Sequence, residues 1–314
     1  KNLMRKYNIP TADYAVFEDY EAARAYIETR PAPMVVKADG LALGKGVLIC
    51  ETREQALEAA QSMLLESRFG KSGSRIVVEE FMTGPEVSVL AFCDGKTVVP
   101  MVSAQDHKRA FDGDRGLNTG GMGTFSPSRV YTPQLAEQCM ETIFIPTVRA
   151  MQQEGRPFKG VLYFGLMLTP DGPKVLEYNA RFGDPETQVV LPRLKSDLLE
   201  IFLACIDGTL DQTEVLWYDN AAVCVVMASG GYPEKYQTGY PISGLNAFAG
   251  SEDVFVYHAG TKKAEDGTLR TAGGRVLGVT AVAKNLDCAI EKAYAAVSLV
   301  SFQDAHYRRD IGVK

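Results

Sequence analysis

The chain of 314 residues is 46% hydrophobic and 23% charged, the proportions of an ordinary globular protein, with length for about two or three domains. Its 39 acidic against 33 basic side chains leave a net charge of −6, which argues against a duplex-binding face, because such faces are basic. The longest apolar runs, 221–228 and 276–283, fall far short of the ~20 residues of a spanning helix, and no signal-peptide pattern opens the chain. A soluble, cytoplasmic protein without nucleic-acid or membrane partners is expected. Of six cysteines the closest pair, Cys205 and Cys224, is 19 positions apart, so neither a zinc knuckle nor a disulfide scaffold is suggested and the thiols read as small core residues.

In chain order, residues 1–7 read as helix, stopped by Asn8-Ile9-Pro10, and a start at Lys1 inside that stretch points to a segment ahead of it. Two short β-branched runs, 34–37 and 47–50, flank the glycine-rich loop 39–46, which predicts a hairpin. Apolar spacing in 54–66 (Ala56, Leu57, Ala60, Met63, Leu64) predicts a helix, and 75–79 a returning strand. Strands at 86–93 and 97–101 lead to the loop 105–127, too long to be idle in a compact domain. A helix at 133–154, strands at 160–168 and 174–181 around a Pro-Asp-Gly turn, and a helix at 197–205 close a central unit. Beyond a boundary at 208–217, strands at 222–228, 254–260 and 275–283 and a helix at 286–298 form a third small α+β unit. The domains expected are 1–82, 83–213 and 214–314.

Three stretches carry chemistry. The loop from Lys37 to Gly46 offers backbone amides and two lysines, the parts of a phosphate cradle. It is no Walker A loop, since Gly46 stands where Ser or Thr would bind magnesium and a strand follows; a surface hairpin with solvated lysines is the competing reading. In Val175-Leu-Glu-Tyr-Asn-Ala-Arg181 the period of two puts Glu177, Asn179 and Arg181 on one strand face and Leu176, Tyr178 and Ala180 on the other. A carboxylate beside an amide oxygen suits a hard cation such as Mg2+, and a solvent-facing Glu–Arg pair is the plainer alternative. Gln105-Asp-His-Lys-Arg109 packs a carboxylate, an imidazole and two cations at the head of the long loop, either a site for an anionic substrate or a solvated charge run. His258 and His306 stand alone and suit structural roles.

The order of these pieces resembles the ATP-grasp ligases, and within them the phosphoribosylamine–glycine ligases, through KADGLALGKGV, EEF, QDHKR, LNTGGMGTFSP, LEYNARFGDPETQ, ASGGYP, HAGT and GGRVLGVT. The resemblance implies an α+β, ATP-grasp fold: a small lid domain, a central antiparallel-rich domain and a small C-terminal α+β domain. By the same resemblance Lys37 contacts the ATP phosphates and the loop with Asp39, Gly40, Gly44, Lys45 and Gly46 closes over them. The hinge of Glu79, Glu80, Phe81 and Met82 takes the adenine edge, Glu86 the ribose hydroxyls, and Glu177 and Asn179 bind Mg2+ or Mn2+. Arg181 faces the transferring phosphoryl group, with Lys37 as the other catalytic residue. Asp106, Lys108, Asn118, Thr119, Gly120, Gly121, Arg181 and Asp184 fall near the acceptor substrates.

The activity implied is formation of glycinamide ribonucleotide from glycine and 5-phosphoribosylamine, through glycyl phosphate. Another carboxylate–amine ligase of the same fold, or a nucleotide-binding module without turnover, are the alternatives. Two departures stand out. Residues 161–168 hold no carboxylate, where many ATP-grasp enzymes supply another metal ligand. The family also opens with an α/β domain, and carries an ATP-contacting lysine just ahead of where this chain starts. The resemblance therefore implies that such a domain completes the acceptor site, and that this chain alone binds Mg-ATP with little turnover.

Overall fold

A computed structural model describes residues 1–40, 46–66, 68 and 70–313. The chain divides into two compact units, Lys1–Pro85 with Met167–Leu176, and Glu86–Leu166 with Glu177–Lys314; the expected domain limits at 82/83 and 213/214 are a different partition.

In the first unit a four-stranded sheet runs in the order Tyr14–Phe17, Ile76–Glu80, Met34–Ala38, Val47–Cys50, with every neighbour antiparallel. The expected hairpin is present, with Lys37 opposite Val47 and Met34 opposite Cys50. Helices Tyr20–Thr29 and Arg53–Leu64 start where Asp19 and Thr52 accept amide hydrogen bonds from Ala22 and Gln55. They bury Ala23, Ile27, Ala56, Ala60 and Met63 with Met34, Val36, Ile76 and Val78 of the sheet. A smaller cluster joins Ala12, Met82, Met167 and Leu176.

In the second unit one sheet takes the order Gly172–Asn179, Lys159–Thr169, Glu86–Asp94, Val98–Pro100; the tip of its first hairpin, Met167–Leu176, is counted with the other unit. A larger sheet runs Val254–His258, Arg275–Ala283, Ala221–Ser229, Gly123–Ser126, Gln105–Asp106, with Ala305–His306 also paired to Ala221–Ser229. All of Ala221–Ser229 is buried, which explains an apolar run without alternation: a central strand is covered on both faces. Helix Leu286–Val297 packs its alanines on this sheet beside Phe125, Val223 and Val279. Helix Leu198–Asp207, capped by Asp197 and ended by left-handed Gly208, covers Leu90 and Phe92.

Three expectations change. The loop 105–127 contains four short strands, Gln105–Asp106, Arg109–Phe111, Arg115–Asn118 and Gly123–Ser126. The helix expected at 133–154 is interrupted by a π turn, Met140–Phe144, before Ile145–Gln153, because Pro146 has no N–H to donate. The strand with Glu177 ends at Asn179, so alternation does not reach Arg181, and Ala180, expected to pack, is exposed. No helix among the described residues is long and apolar enough to cross a membrane. All six cysteines are free, and all but the half-buried Cys288 are buried.

Candidate active site

In the first unit Lys37 lies opposite Val77, so Glu79, two places along the same strand, is its diagonal neighbour, within reach of a long side chain. Lys37 Nζ donates to Glu79 Oε2 at 2.8 Å. A second ammonium, Lys1 Nζ, lies 3.2 Å from the same oxygen and donates to Thr11 Oγ1 at 2.6 Å. Burial lowers the Lys1 pKa, with Glu79 opposing the shift. One buried carboxylate between two ammonium groups leaves a net positive spot suited to an anion. Next along the strand, Glu80 Oε1 accepts from Lys174 Nζ and the Asp13 amide, each at 3.1 Å; burial opposes its ionisation, but these bonds hold it below the usual carboxylate range.

The cradle loop is described only at its ends. Asp39 pairs with Arg75 and its amide donates to the Arg75 carbonyl. The Gly40 amide donates to the Ser72 carbonyl at 3.0 Å, and the Gly46 carbonyl accepts from Ala38 at 2.8 Å. Gly44 and Lys45 lie outside the described residues. In the hinge Phe81 is half-buried and Met82 buried.

In the second unit Glu177 and Asn179 share a strand face, with Asn179 Nδ2 3.5 Å from Glu177 Oε1. The intervening Tyr178 turns the other way, its ring against Phe164 and its hydroxyl 2.9 Å from Thr147 Oγ1. Arg181, past the strand end, donates to the Phe182 carbonyl at 2.7 Å and has Nη2 3.5 Å from Asn179 Oδ1. Among the described residues no group of three or more His, Cys, Asp or Glu could hold a metal. A carboxylate and an amide oxygen side by side still fit Mg2+ or Mn2+, because such an ion completes its shell with phosphate oxygens and water.

Glu86, at the start of its strand, pairs with Lys108. Desolvation of its ammonium end would lower the Lys108 pKa although the side chain as a whole is more than a third exposed, but Glu86, with Asp106 and Glu177 behind it, raises it overall. Asp106 Oδ1 is buried with no hydrogen-bond partner, and burial together with Glu186 pushes the Asp106 carboxyl well above its ordinary value. Glu186 accepts from Ser88 Oγ at 3.0 Å, which also meets Tyr163 Oη at 2.8 Å. Gly121 fits between these groups only as glycine. Its φ is +111°, and a Cβ would stand 2.5 Å from Pro185 Cδ and 2.8 Å from Asp106 Oδ1.

Family models match most of the chain: "Phosphoribosylglycinamide synthetase, ATP-grasp (A) domain" over residues 1–187, and the C domain of the same synthetase over residues 222–314. A phosphoribosylamine–glycine ligase of Halalkalibacterium halodurans is 51% identical over the whole chain, which spans 72% of that relative. One from Caulobacter vibrioides is 51% identical over 99% of this chain and 73% of its own. The chain belongs to the phosphoribosylamine–glycine ligase family. The crystal structure of such a ligase from Thermotoga maritima superposes with a TM-score of 0.90 at 36% identity, covering 99% of this chain and 76% of that one. The biotin carboxylase domain of a Hydrogenobacter thermophilus 2-oxoglutarate carboxylase, solved with MgADP, ADP and bicarbonate, shares the fold at 15% identity with a TM-score of 0.73, covering 97% of this chain and 65% of its own.

As a phosphoribosylamine–glycine ligase the chain has the ATP-grasp α+β fold and is a carbon–nitrogen ligase of purine biosynthesis; ATP-grasp ligases use ATP with a divalent metal. The described site residues form two groups. Lys37, Glu79 and Glu80 belong to the first unit; Glu86, Asp106, Lys108, Glu177, Asn179, Arg181 and Asp184 to the second. Asn118, Thr119 and Gly120 sit on the rim of the second group: the Thr119 amide and hydroxyl both donate to the Lys108 carbonyl at 2.8 Å, and the Gly121 amide to Thr119 Oγ1 at 3.0 Å.

Sequence reasoning passed over several partners. Lys1 reads in the sequence only as part of a helix, yet it is the second cation at Glu79. Glu186, inside the GDPET run, is buried with Asp106 and Ser88 nearby. Arg308, fully buried, donates to the Arg109 carbonyl at 3.1 Å and pairs with Asp114 at 2.9 Å and Asp310 at 2.7 Å. Only a basic residue followed two places later by an acid marks Arg308 in the sequence, which is too common to single it out.

Proposed function

We propose that this chain carries the ATP-dependent joining of glycine to 5-phosphoribosylamine, in the cytoplasm, through glycyl phosphate. A glycine carboxylate oxygen attacks the γ-phosphorus of ATP and ADP leaves. The amine nitrogen of phosphoribosylamine then attacks the acyl carbon, phosphate departs with the bonding pair and the nitrogen loses a proton. The observation that carries this reading is the trio Glu177, Asn179 and Arg181, a carboxylate and an amide oxygen with a guanidinium at hydrogen-bond range.

On this reading the first unit gives Lys37 and Lys1 to the nucleotide phosphates, with Asp39, Gly40, Gly44, Lys45 and Gly46 around them, and Glu79 to Met82 to the adenine edge. In the second, Glu86 exchanges Lys108 for ribose hydroxyls, and Glu177 and Asn179 would hold Mg2+ or Mn2+, which when bound neutralises phosphate charge. Arg181 leaves the Phe182 carbonyl for the transferring phosphoryl group. Asp106, Lys108, Asn118, Thr119, Gly120, Gly121 and Asp184 orient the acceptor substrates. No side chain is bonded covalently; rate comes from positioning and charge. The relatives extend beyond the stretch matched here, and the ribose-phosphate side of the acceptor site is assigned to that further part.

The test is phosphate release with ATP, glycine or phosphoribosylamine omitted in turn, for this chain and for the chain joined to the remaining part of a relative. The joined form is expected to release phosphate only with all three present, and the chain alone to bind Mg-ATP with little turnover. Equal turnover by both would place the whole acceptor site within these 314 residues. Release without glycine would overturn glycyl phosphate, and nucleotide binding without release in either form would leave a binding module.

A further inference from the structure

The loop that holds Asn118, Thr119, Gly120 and Gly121 is bonded locally at Thr119 and Gly121, but not at Gly120. Its outward turn is gripped by two side chains from far along the chain. Arg275 Nη1 donates to the Gly120 carbonyl at 2.7 Å and to the Asp184 carbonyl at 3.2 Å, while Nη2 pairs with the Asp184 carboxylate at 2.7 Å. From the other side the Gly120 amide donates to Tyr232 Oη at 3.0 Å. Both backbone polar groups of Gly120, which belong to successive peptide links, are thus held, the carbonyl by a guanidinium and the amide by a phenol.

The surroundings are shaped for this grip. Arg275 opens its strand opposite Ala228, where the register slips by a β-bulge between Met227 and Ala228, a device that re-aims a side chain. Gly274 lies under the Tyr232 ring, where a Cβ would come within 2.3 Å of ring carbon Cδ2. Arg275 spans two segments, the 118–121 turn and the Gly183-Asp184-Pro185 turn, as only a planar fork with several donors can.

We propose that Arg275 and Tyr232 are positioning residues for the acceptor side of the reaction: together they set the height of the Gly120 peptide and the direction of the Asp184 carboxylate. This rests on the reading that Asn118, Thr119 and Asp184 meet the acceptor substrates. The consequence falls on acceptor binding and not on ATP, because neither side chain touches a residue assigned to the nucleotide.

The experiment compares Arg275→Met, Arg275→Lys and Tyr232→Phe with Asn118→Ala in the active joined form, measuring kcat and separate KM values for ATP, glycine and phosphoribosylamine. Arg275→Met is expected to raise KM for an acceptor substrate at least tenfold and KM for ATP less than twofold. Arg275→Lys, which keeps the charge and loses the fork, should stay within threefold of Arg275→Met; wild-type behaviour in it would overturn the proposal. A fall in kcat with every KM unchanged would show a merely structural role and overturn it too. If Asn118→Ala raises an acceptor KM and Arg275→Met does not, the positioning role fails and the substrate reading stands; if neither does, both fail. Should the Arg275 variants not fold, Tyr232→Phe removes a single oxygen, and faster hydrogen exchange at the Gly120 amide with a threefold rise in the same KM is expected. Unchanged exchange and KM in that variant would overturn the proposal.

Discussion

Two lysine–glutamate pairs, one in each unit, differ in how much water reaches them. Glu79 is 4% exposed and meets Lys1 and Lys37, which are 13% and 23% exposed, whereas Glu86 and Lys108 are 45% and 38% exposed and pair only with each other among the ion pairs of the described residues. A buried carboxylate must keep its counter-charges, because the cost of leaving it alone exceeds what the pair gains in water. An exposed pair holds its partners weakly and can exchange them. The first arrangement therefore belongs to the framework of its unit and presents fixed positive charge; the second is a pair free to exchange partners.

Glu79→Ala should give the largest effect, since it leaves two partly buried ammonium groups facing each other. A loss of ~3 kcal/mol in unfolding free energy is expected from urea titration, and a loss below ~1 kcal/mol would erase the contrast between the pairs. Acid should act on the second unit through His107, which is buried with its pKa lowered to about 4 by burial and by Arg308, against an ordinary 6.5. Its depressed value means that the unfolded chain takes up the proton first, so stability is full above pH 6.5 and is lost as pH falls toward about 4. The slope of unfolding free energy against pH in that window should flatten in His107→Asn, and an identical slope would discount the imidazole.

Glu177→Gln tests whether an exposed carboxylate can matter for chemistry while contributing little to folding. Activity of the joined form at fixed Mg2+ should fall at least tenfold, about 1.4 kcal/mol in the barrier, with the melting temperature nearly unchanged. Equal activities across a magnesium titration would remove Glu177 from the metal set. Lys37→Met should weaken ATP more than AMP in calorimetry, because it removes a charge-assisted phosphate contact; equal losses for the two nucleotides would speak against phosphate contact. The smallest change is expected for Glu86→Gln, under ~1 kcal/mol in the same urea titration, and a cost like that of Glu79→Ala would show that exposure is not what separates the pairs.

What could be read in advance was local. The hairpin that carries Lys37, the strand that carries Glu177 and the helices 53–64, 198–207 and 286–297 follow from periodicity and caps within a dozen residues. The strand Tyr14–Phe17 and the helix Tyr20–Thr29 have no counterpart among the elements expected from the sequence. The loop 105–127 was legible as important and illegible as structure, because strands of two to four residues are too short to show a period. Resemblance brought out Asp106, Lys108 and Asn118, but not the groups that hold them. Gly120 and Arg275 stand 155 positions apart, and Arg109 and Arg308 stand 199 apart, so nothing near either end of such a bond announces the other.

Those separations also fix a timetable. A ribosome delivers Asp106, Lys108 and Gly120 early, yet Gly123–Ser126 finds its neighbouring strand only when Ala221–Ser229 has emerged. Arg275 must follow to grip Gly120, and Arg308 comes last, within a few residues of the end of this stretch, to fasten Arg109 and Asp114. The four-stranded sheet and two helices within residues 1–85 can close while synthesis continues, because their partners lie within that stretch, although Lys174 and Val175 join Glu80 and Thr11 later. The turn at Gly120 has to wait until Arg275 is made. A nascent chain stalled before Arg275 would therefore carry Lys1 and Lys37 against Glu79, with Gly120 lacking its guanidinium partner.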